Sequence, residues 1–317
     1  CCGTTPEHIR LAAELMKKTK RISAPVVESV KRRVEKPRFK QAVIAVELSA
    51  PVDTDTEYIL SASAKAKESG ADFITVPDSP MGKTRANSFM ISAMIERRVQ
   101  IKTIPHVCCR DKNQIAIKGD LLAANIENVD NVLAITGDSV TKTDRNDAKN
   151  VFNFNSYKLI EFIRGLNETV FEKRPYNICA ALNINAANFG VELERARRKI
   201  ESGAVCLLTQ PIFSEENIKN YLLAKEKLDC RILAGVMLLA GYKNALFLNN
   251  EVPGVEIPES VIDSLRDKGA EETKKICVDY AINIADRVSD GCDGYYIMTP
   301  LKKIDFSAQV VKYLRRK

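Results

Sequence analysis

The sequence predicts an α/β fold, a single (β/α)8 TIM barrel with an extra N-terminal helix and linker. Three observations lead there. Eight short apolar runs alternate with helical patterns between residues 42 and 314, as expected of a parallel sheet buried on both faces. Seven of the eight runs close on a polar residue, and the downstream strand ends are where such barrels carry their functional groups. No GxGxxG follows the first run, so the phosphate loop of an open, doubly wound sheet is missing from its place.

Residues 1–36 read as an amphipathic, charged helix (PEHIRLAAELMKKTK) and a loop, and the barrel is placed at 37–317. The first strand, 42–48, leads to a helix over 54–69 that Gly70 ends, glycine being the usual left-handed C-cap. Strand 73–76, helix 86–98, strand 102–108 and helix 114–126 follow. Next come strand 132–136, helix 156–166, strand 178–183 and helix 191–202, closed by Gly203. Strand 205–210, helix 215–227 and strand 231–239 lead into a longer helical region. Strand 294–298 and a terminal helix over 307–314 complete eight units.

A chain of 317 residues with 45% apolar and 28% charged residues can bury a sizeable core. The net charge of +7 comes from 48 basic and 41 acidic residues scattered along the helices. With no zinc-finger spacing or aromatic-basic platform, that charge argues against a nucleic-acid partner and fits a small anionic one. No apolar run reaches the roughly 20 residues that a membrane span needs, and no signal peptide opens the chain, so a cytoplasmic location is expected. Nine cysteines, an odd number, indicate free thiols. Cys179 and Cys206 sit in strand-like runs and read as core residues.

The strand ends carry Glu47, Thr75 with Asp78, His106, Asp138, Asn183, Gln210 and Thr299. About half of these are expected to serve only as helix caps. Glu47 follows five apolar residues in AVIAVE; desolvation should raise its pKa and suit it to acid catalysis. On spacing alone it could equally pair with a lysine across the barrel mouth. Asp138 ends LAITGD, where Gly137 lets the backbone pass close to a ligand, or else it caps the next helix. Gln210 in LLTQP offers donors and an acceptor together, as a heterocycle edge requires. His106 reads as a satisfied structural group more readily than as a catalyst, and metal binding with Cys108 and Cys109 lacks further ligands. Glu192, Arg195 and Lys199 share one helix face, with Arg198 beside them, and suit phosphate or ribose binding or a solvated surface.

Together these segments resemble the methylenetetrahydrofolate reductase family over roughly residues 40–315. VELSAP is similar to the family's first-strand Glu motif, PHVCCRDKN to its third strand, and LAITGD to its Gly-Asp after strand four. The longest matches are ELERARRKIESGAVCLLTQPIF and AGVMLLAGYKNALFLNNEVPGVEIPE, the latter as in the shorter bacterial-type members. The resemblance implies FAD at the strand ends, reduced by NADH or NADPH, which leaves and is replaced by methylenetetrahydrofolate. Glu47 and Asp138 then match the catalytic pair. Thr75, His106, Thr136, Gly137, Asp138, Ala180, Glu192, Arg195, Arg198 and Lys199 match flavin-site positions. Glu47, Gln210, Asn244 and Leu248 match the folate site. Three departures stand out: Thr136 replaces an Arg of some members, Asn244 a Gln, and Leu248 an aromatic that other members also replace by Leu. MTPLKK also lacks an Asn-Arg found in some relatives, for which Lys302 or Lys303 could substitute.

CCGTTPEHIR is similar to the end of a zinc-dependent homocysteine methyltransferase domain, where Cys1 and Cys2 would be two of three thiolate ligands. Two thiolates do not make a four-coordinate zinc site, so no metal is expected in this fragment. Residues 1–36 then read as the remnant of a fused methyltransferase, a partner in methionine biosynthesis. A homo-oligomer is also expected. The alternative to an active reductase is a catalytically silent barrel that binds folate or a partner beside the methyltransferase.

Overall fold

The computed structural model describes residues 5–18, 42–138, 150–252 and 255–317. Contacts divide the chain into two units, Cys1–Arg38 and Phe39–Lys317. In the first, helix α1 (Pro6–Lys18) opens where Thr5 and His8 exchange hydrogen bonds of 3.2 and 3.4 Å. Its Ile9, Leu11 and Leu15 are exposed.

The second unit is a closed barrel of eight parallel strands in sequence order. They are β1 (Val43–Glu47), β2 (Phe73–Val76), β3 (Lys102–Cys108), β4 (Asn131–Ile135), β5 (Asn177–Leu182), β6 (Cys206–Pro211), β7 (Arg231–Met237) and β8 (Gly294–Met298). The helices that return the chain are α2 (Glu57–Ser69), α3 (Ser88–Val99), α4 (Gln114–Ile126), α5 (Ser156–Asn167), α6 (Phe189–Ser202) and α7 (Glu215–Lys227). After β7 the expected long helical region resolves into three pieces, α8 (Tyr242–Glu251), α9 (Glu259–Ser264) and α10 (Ala270–Arg287), and α11 (Ile304–Arg316) follows β8. Pro258 stands at the N-cap of α9 and Gly269 at that of α10; neither residue type suits a helix interior, so each marks where a new helix begins. A 3-10 turn over Pro80–Gly82 was not anticipated.

Why these helices start where they do is visible in their caps. Asn87, Asn113, Asn155 and Asn188 each accept a backbone N–H three residues on, at 3.0, 3.0, 3.0 and 3.1 Å. Each satisfies a donor that the first helical turn leaves open, worth about 1 kcal/mol. Ser214 and Asn217 form a reciprocal capping box on α7.

Side chains alternate between two apolar layers. Val43, Ala45, Ile104, Leu133, Cys179, Leu208, Leu233, Tyr296 and Met298 fill the barrel. Their sequence neighbours Ile44, Val46, Val107, Val132, Leu207, Ile232 and Ile297 pack outward under the helices. That period of two fixes which strand-end residues point into the mouth. Between β6 and β7 the register shifts at Leu208/Pro211. A Cβ on Gly235 would lie 2.6 Å from the Gln210 carbonyl and 2.7 Å from that of Thr209, so only glycine lets β7 lie against the bulge.

The first and last elements of the barrel are tied at its other end. Arg315 donates to the Gly70 carbonyl at 2.6 Å, to the Ala42 carbonyl at 2.9 Å and to Asp72. Asp72 in turn accepts the backbone N–H of Ile44 at 2.7 Å.

Candidate active site

By the inner-face alternation, Glu47 follows Val43 and Ala45 into the barrel mouth, Thr75 follows Phe73, and His106 follows Ile104. Glu47 and Thr75 are register partners across β1 and β2. The partner of Glu47 is not a lysine. Tyr296, one layer deeper on β8, donates its hydroxyl to Glu47 Oε2. Burial raises the Glu47 pKa from 4.5 to about 7, against a smaller opposing effect of that hydrogen bond. A carboxyl group in that state can hold or release a proton near neutral pH.

His106 is buried, and burial lowers its pKa to about 3, so it is a neutral imidazole. Its Nε2 is enclosed without a hydrogen-bond partner. Buried polar atoms are almost always satisfied; one left open on the inner wall fits a ligand that completes it. The neighbouring thiols do not converge with it. Cys108 lies near Asp111 at 3.6 Å, whereas Cys109 packs in the outer layer with its thiol 3.3 Å from the Ile135 carbonyl. Burial pushes both thiols up to about 12, which keeps them protonated. Among the described residues no three metal-ligating side chains cluster; Cys1 and Cys2 lie outside those residues.

Asp138 is held by neighbouring loops. Its Oδ2 accepts the Met81 N–H at 2.9 Å and its carbonyl accepts from Arg110 at 2.9 Å. Arg110 is buried and also donates to the Ser79 carbonyl at 3.1 Å and, through Nε, to Asp111 at 2.6 Å. Ser79 and Met81 both have positive φ, 46° and 56°, a strained form for such residues. Gly137, at φ 86°, lies where a Cβ would come within 2.8 Å of the Cys108 Cβ. Asp138 does not cap α5, a duty that belongs to Asn155. Thr136 borders a cleft of about 490 Å³ with Phe152, Asn153, Phe154, Asn155 and Lys158.

The α6 cluster has internal partners. Lys199 reaches the carbonyl of Ala181 at 2.6 Å and Glu192 at 3.5 Å, and burial lowers its pKa. Glu192 is buried and also accepts the Asn183 N–H at 3.2 Å. Arg195 is exposed and lies 3.5 Å from Glu192, while the exposed Arg198 guanidinium sits 4.7 Å from the Tyr157 ring centre. Ala180 is the residue set apart: its side chain belongs to the outer layer, between the barrel and the helices.

Gln210 is exposed at the C-terminal end of β6, within the bulge, and Thr209 fixes that bulge by accepting the Gly235 N–H at 2.8 Å. On α8, Asn244 uses its oxygen to accept the Ala240 N–H at 2.9 Å, and Leu248 is half-buried against the outer core. Lys303 reaches the Ala240 carbonyl at 2.9 Å. Other strand-end polar groups serve the scaffold. Asp78 accepts the Cys108 N–H at 3.2 Å, Asn183 closes a turn on Asn185 at 3.0 Å, and Thr299 bonds Ser307 at 2.9 Å. Tyr296 and Arg110 were not picked out from sequence. For Tyr296 a signal existed: a tyrosine at an inward position of GYYIM must find a partner for its hydroxyl.

The molecule is thus a (β/α)8 barrel whose ionisable and amide groups gather at the C-terminal ends of its strands. The sequence profile of the methylenetetrahydrofolate reductase family matches residues 31–315, and the chain belongs to that family. Among solved structures, it is similar to an uncharacterized protein from Clostridium thermocellum described as binding two copies of 5-methyl-5,6,7,8-tetrahydrofolic acid. That match has 15% identity and a TM-score of 0.62, covering 87% of this chain and 96% of the other. DmoA from Hyphomicrobium sulfonivorans matches with 10% identity, a TM-score of 0.56 and coverage of 87% and 88%. At these identities the likeness establishes the barrel fold. No helix among the described residues is long and apolar enough to cross a membrane.

Proposed function

We propose that this protein reduces methylenetetrahydrofolate to methyltetrahydrofolate, with FAD as cofactor and NADH or NADPH as the electron source, in one-carbon metabolism. The observation that carries this reading is Glu47, a carboxyl group facing the barrel mouth with its pKa raised to about 7. Family membership supplies the reaction class.

When bound, FAD would supply hydride transfer, taken from the nicotinamide nucleotide and given to the folate in alternate half-reactions. The open Nε2 of His106 and the cations Arg195, Arg198 and Lys199 are groups that suit its polar and charged parts. Thr75, Thr136, Gly137 and Glu192 complete that proposed set, and Ala180 could take part only through its backbone.

Glu47 acts on the folate. Its proton goes to the bridging nitrogen of the methylene group, the carbon–nitrogen bond breaks, and the electron pair stays on the departing nitrogen. The remaining iminium carbon then accepts hydride, and Glu47 is left as a carboxylate. Asp138, held by Met81 and Arg110, is placed to support pterin binding and to tune hydride transfer. Gln210 offers its amide to the pterin edge, and Asn244 and Leu248 line the approach from α8. The barrel at 37–317, the residual methyltransferase helix before it, homo-oligomerisation and a cytoplasmic location belong to the same proposal.

The test is the colour of the purified protein. A flavin spectrum that bleaches with NADH or NADPH and returns on adding methylenetetrahydrofolate is the expected result. A colourless protein that binds folate and oxidises neither nucleotide after incubation with FAD would overturn it in favour of a silent binding barrel.

A further inference from the structure

Glu47 is the acid of the proposed reaction, and what holds it is as informative as its position. Its carboxylate has two oxygens. Tyr296 takes Oε2 by a hydrogen bond that crosses from β8 to β1. No described residue hydrogen-bonds Oε1, and Glu47 keeps part of its surface open to the mouth. Tyr296 itself cannot move freely. Its ring is packed in the inner layer with Ala45, Leu233 and Met298, and its backbone is paired with Ala45 and Gly235.

We propose that Tyr296 is a positioning residue for Glu47, fixing Oε2 against the barrel wall so that Oε1 carries the proton toward the folate. The inference rests on Glu47 being the acid. A carboxyl group loses its proton most readily to an acceptor in line with the oxygen that bears it, and a clamp on one oxygen leaves only the other to do so. The same hydrogen bond stabilises the ionised form that remains after transfer. Tyr296 stays a phenol throughout: burial first, then the Glu47 charge, hold its pKa far above the ordinary value. Tyr296 is the ionisable side chain that bears on Glu47 among the described residues, and the hydroxyl of Thr75, which is neutral, is the other group beside the phenol.

Two substitutions at one position test this. Tyr296→Phe keeps the ring and removes the donor. The expected result is a kcat for folate reduction lowered by about tenfold or more, with KM little changed. The Glu47 ionisation, followed by its infrared carboxyl band as the difference from Glu47→Gln, should move upward by about one pH unit. Site-specific 3-fluorotyrosine, a stronger donor on the same ring, should move that ionisation downward and restore kcat. It also keeps the test alive if Tyr296→Phe fails to fold. An unshifted carboxyl band in either variant, or a Tyr296→Phe kcat equal to the parent's, would overturn the proposal. If Glu47→Gln itself reduces methylenetetrahydrofolate at the parent rate, it is the acid assignment that fails, whatever Tyr296 does.

Discussion

At the scale of single residues, burial decides the chemistry, and it does so with opposite signs for the two groups that matter most. Glu47 in the folded chain titrates near 7 instead of 4.5, so the folded state holds a proton that the unfolded state releases. Its contribution to stability is full below pH 4.5 and is lost as the pH rises to about 7. His106 is the reverse: it titrates near 3 instead of 6.5, so stability is full above 6.5 and is lost as the pH falls toward 3. Two predictions follow at this scale. Glu47→Gln should lower folate reduction by roughly 10²- to 10⁴-fold and, in urea titrations, should be more stable than the parent at pH 8 by on the order of 2 kcal/mol, with the gain fading toward pH 4. His106→Asn, compared with the parent by the same titrations, should gain stability only on the acid side, below pH 6.5. A gain that did not vary with pH would show that neither group is shifted as stated.

The legibility of these residues in the sequence was uneven, for physical reasons. Glu47 announced itself because a carboxylate after five apolar residues is costly unless used, though its partner could not be named. A strand gives the inward or outward sense of its own side chains, and it does not say which neighbour lies across the seam. Tyr296 is 249 residues away from Glu47, and only barrel closure brings them together. Arg110 was hidden for a similar reason. Its buried guanidinium ties loops after β2, β3 and β4, and nothing in CCRDKN says that those loops meet.

At the scale of elements, the β6–β7 pair carries the point. The apolar runs gave both strands, but periodicity has no signature for the register shift that surrounds Gln210. Gly235 is what permits it, and the sequence offered it only as one small residue in RILAGVM. Gly235→Ala should therefore cost about 1–3 kcal/mol from overpacking against two carbonyls, measured by thermal or urea unfolding, and should weaken folate binding more than flavin binding. Equal loss of both would argue that Gln210 is not a folate contact. The three helices after β7 show the same limit from another side. Their apolar spacing runs on almost unbroken, and Pro258 and Gly269 mark only where the second and third helices begin.

At the scale of the whole molecule, the eight-unit count and the polar strand ends were enough to predict closure, because the phosphate loop of an open, doubly wound sheet is missing after the first strand. What the count could not supply was the fastening. Arg315 reaches Gly70, Ala42 and Asp72, all beside β1 and β2, while standing on the helix that follows β8. Arg315→Ala removes three hydrogen bonds, one to a carboxylate, and should destabilise the barrel by about 2–4 kcal/mol. Hydrogen exchange should localise that loss to β1 and β8. Uniform loss over all eight strands would show that this seam is no weaker than the others.

The position of that fastening also orders events in time. Arg315 bonds a carbonyl 245 residues behind it, so β8 and α11 must both have been made before this fastening can form and before the first strand meets its second neighbour. Until then β1 waits with one edge unpaired, and the mouth has Glu47 without Tyr296. Glu47 and Tyr296 come together only when β8 closes against β1, so a nascent chain that stops before β8 would hold Glu47 without that hydrogen bond.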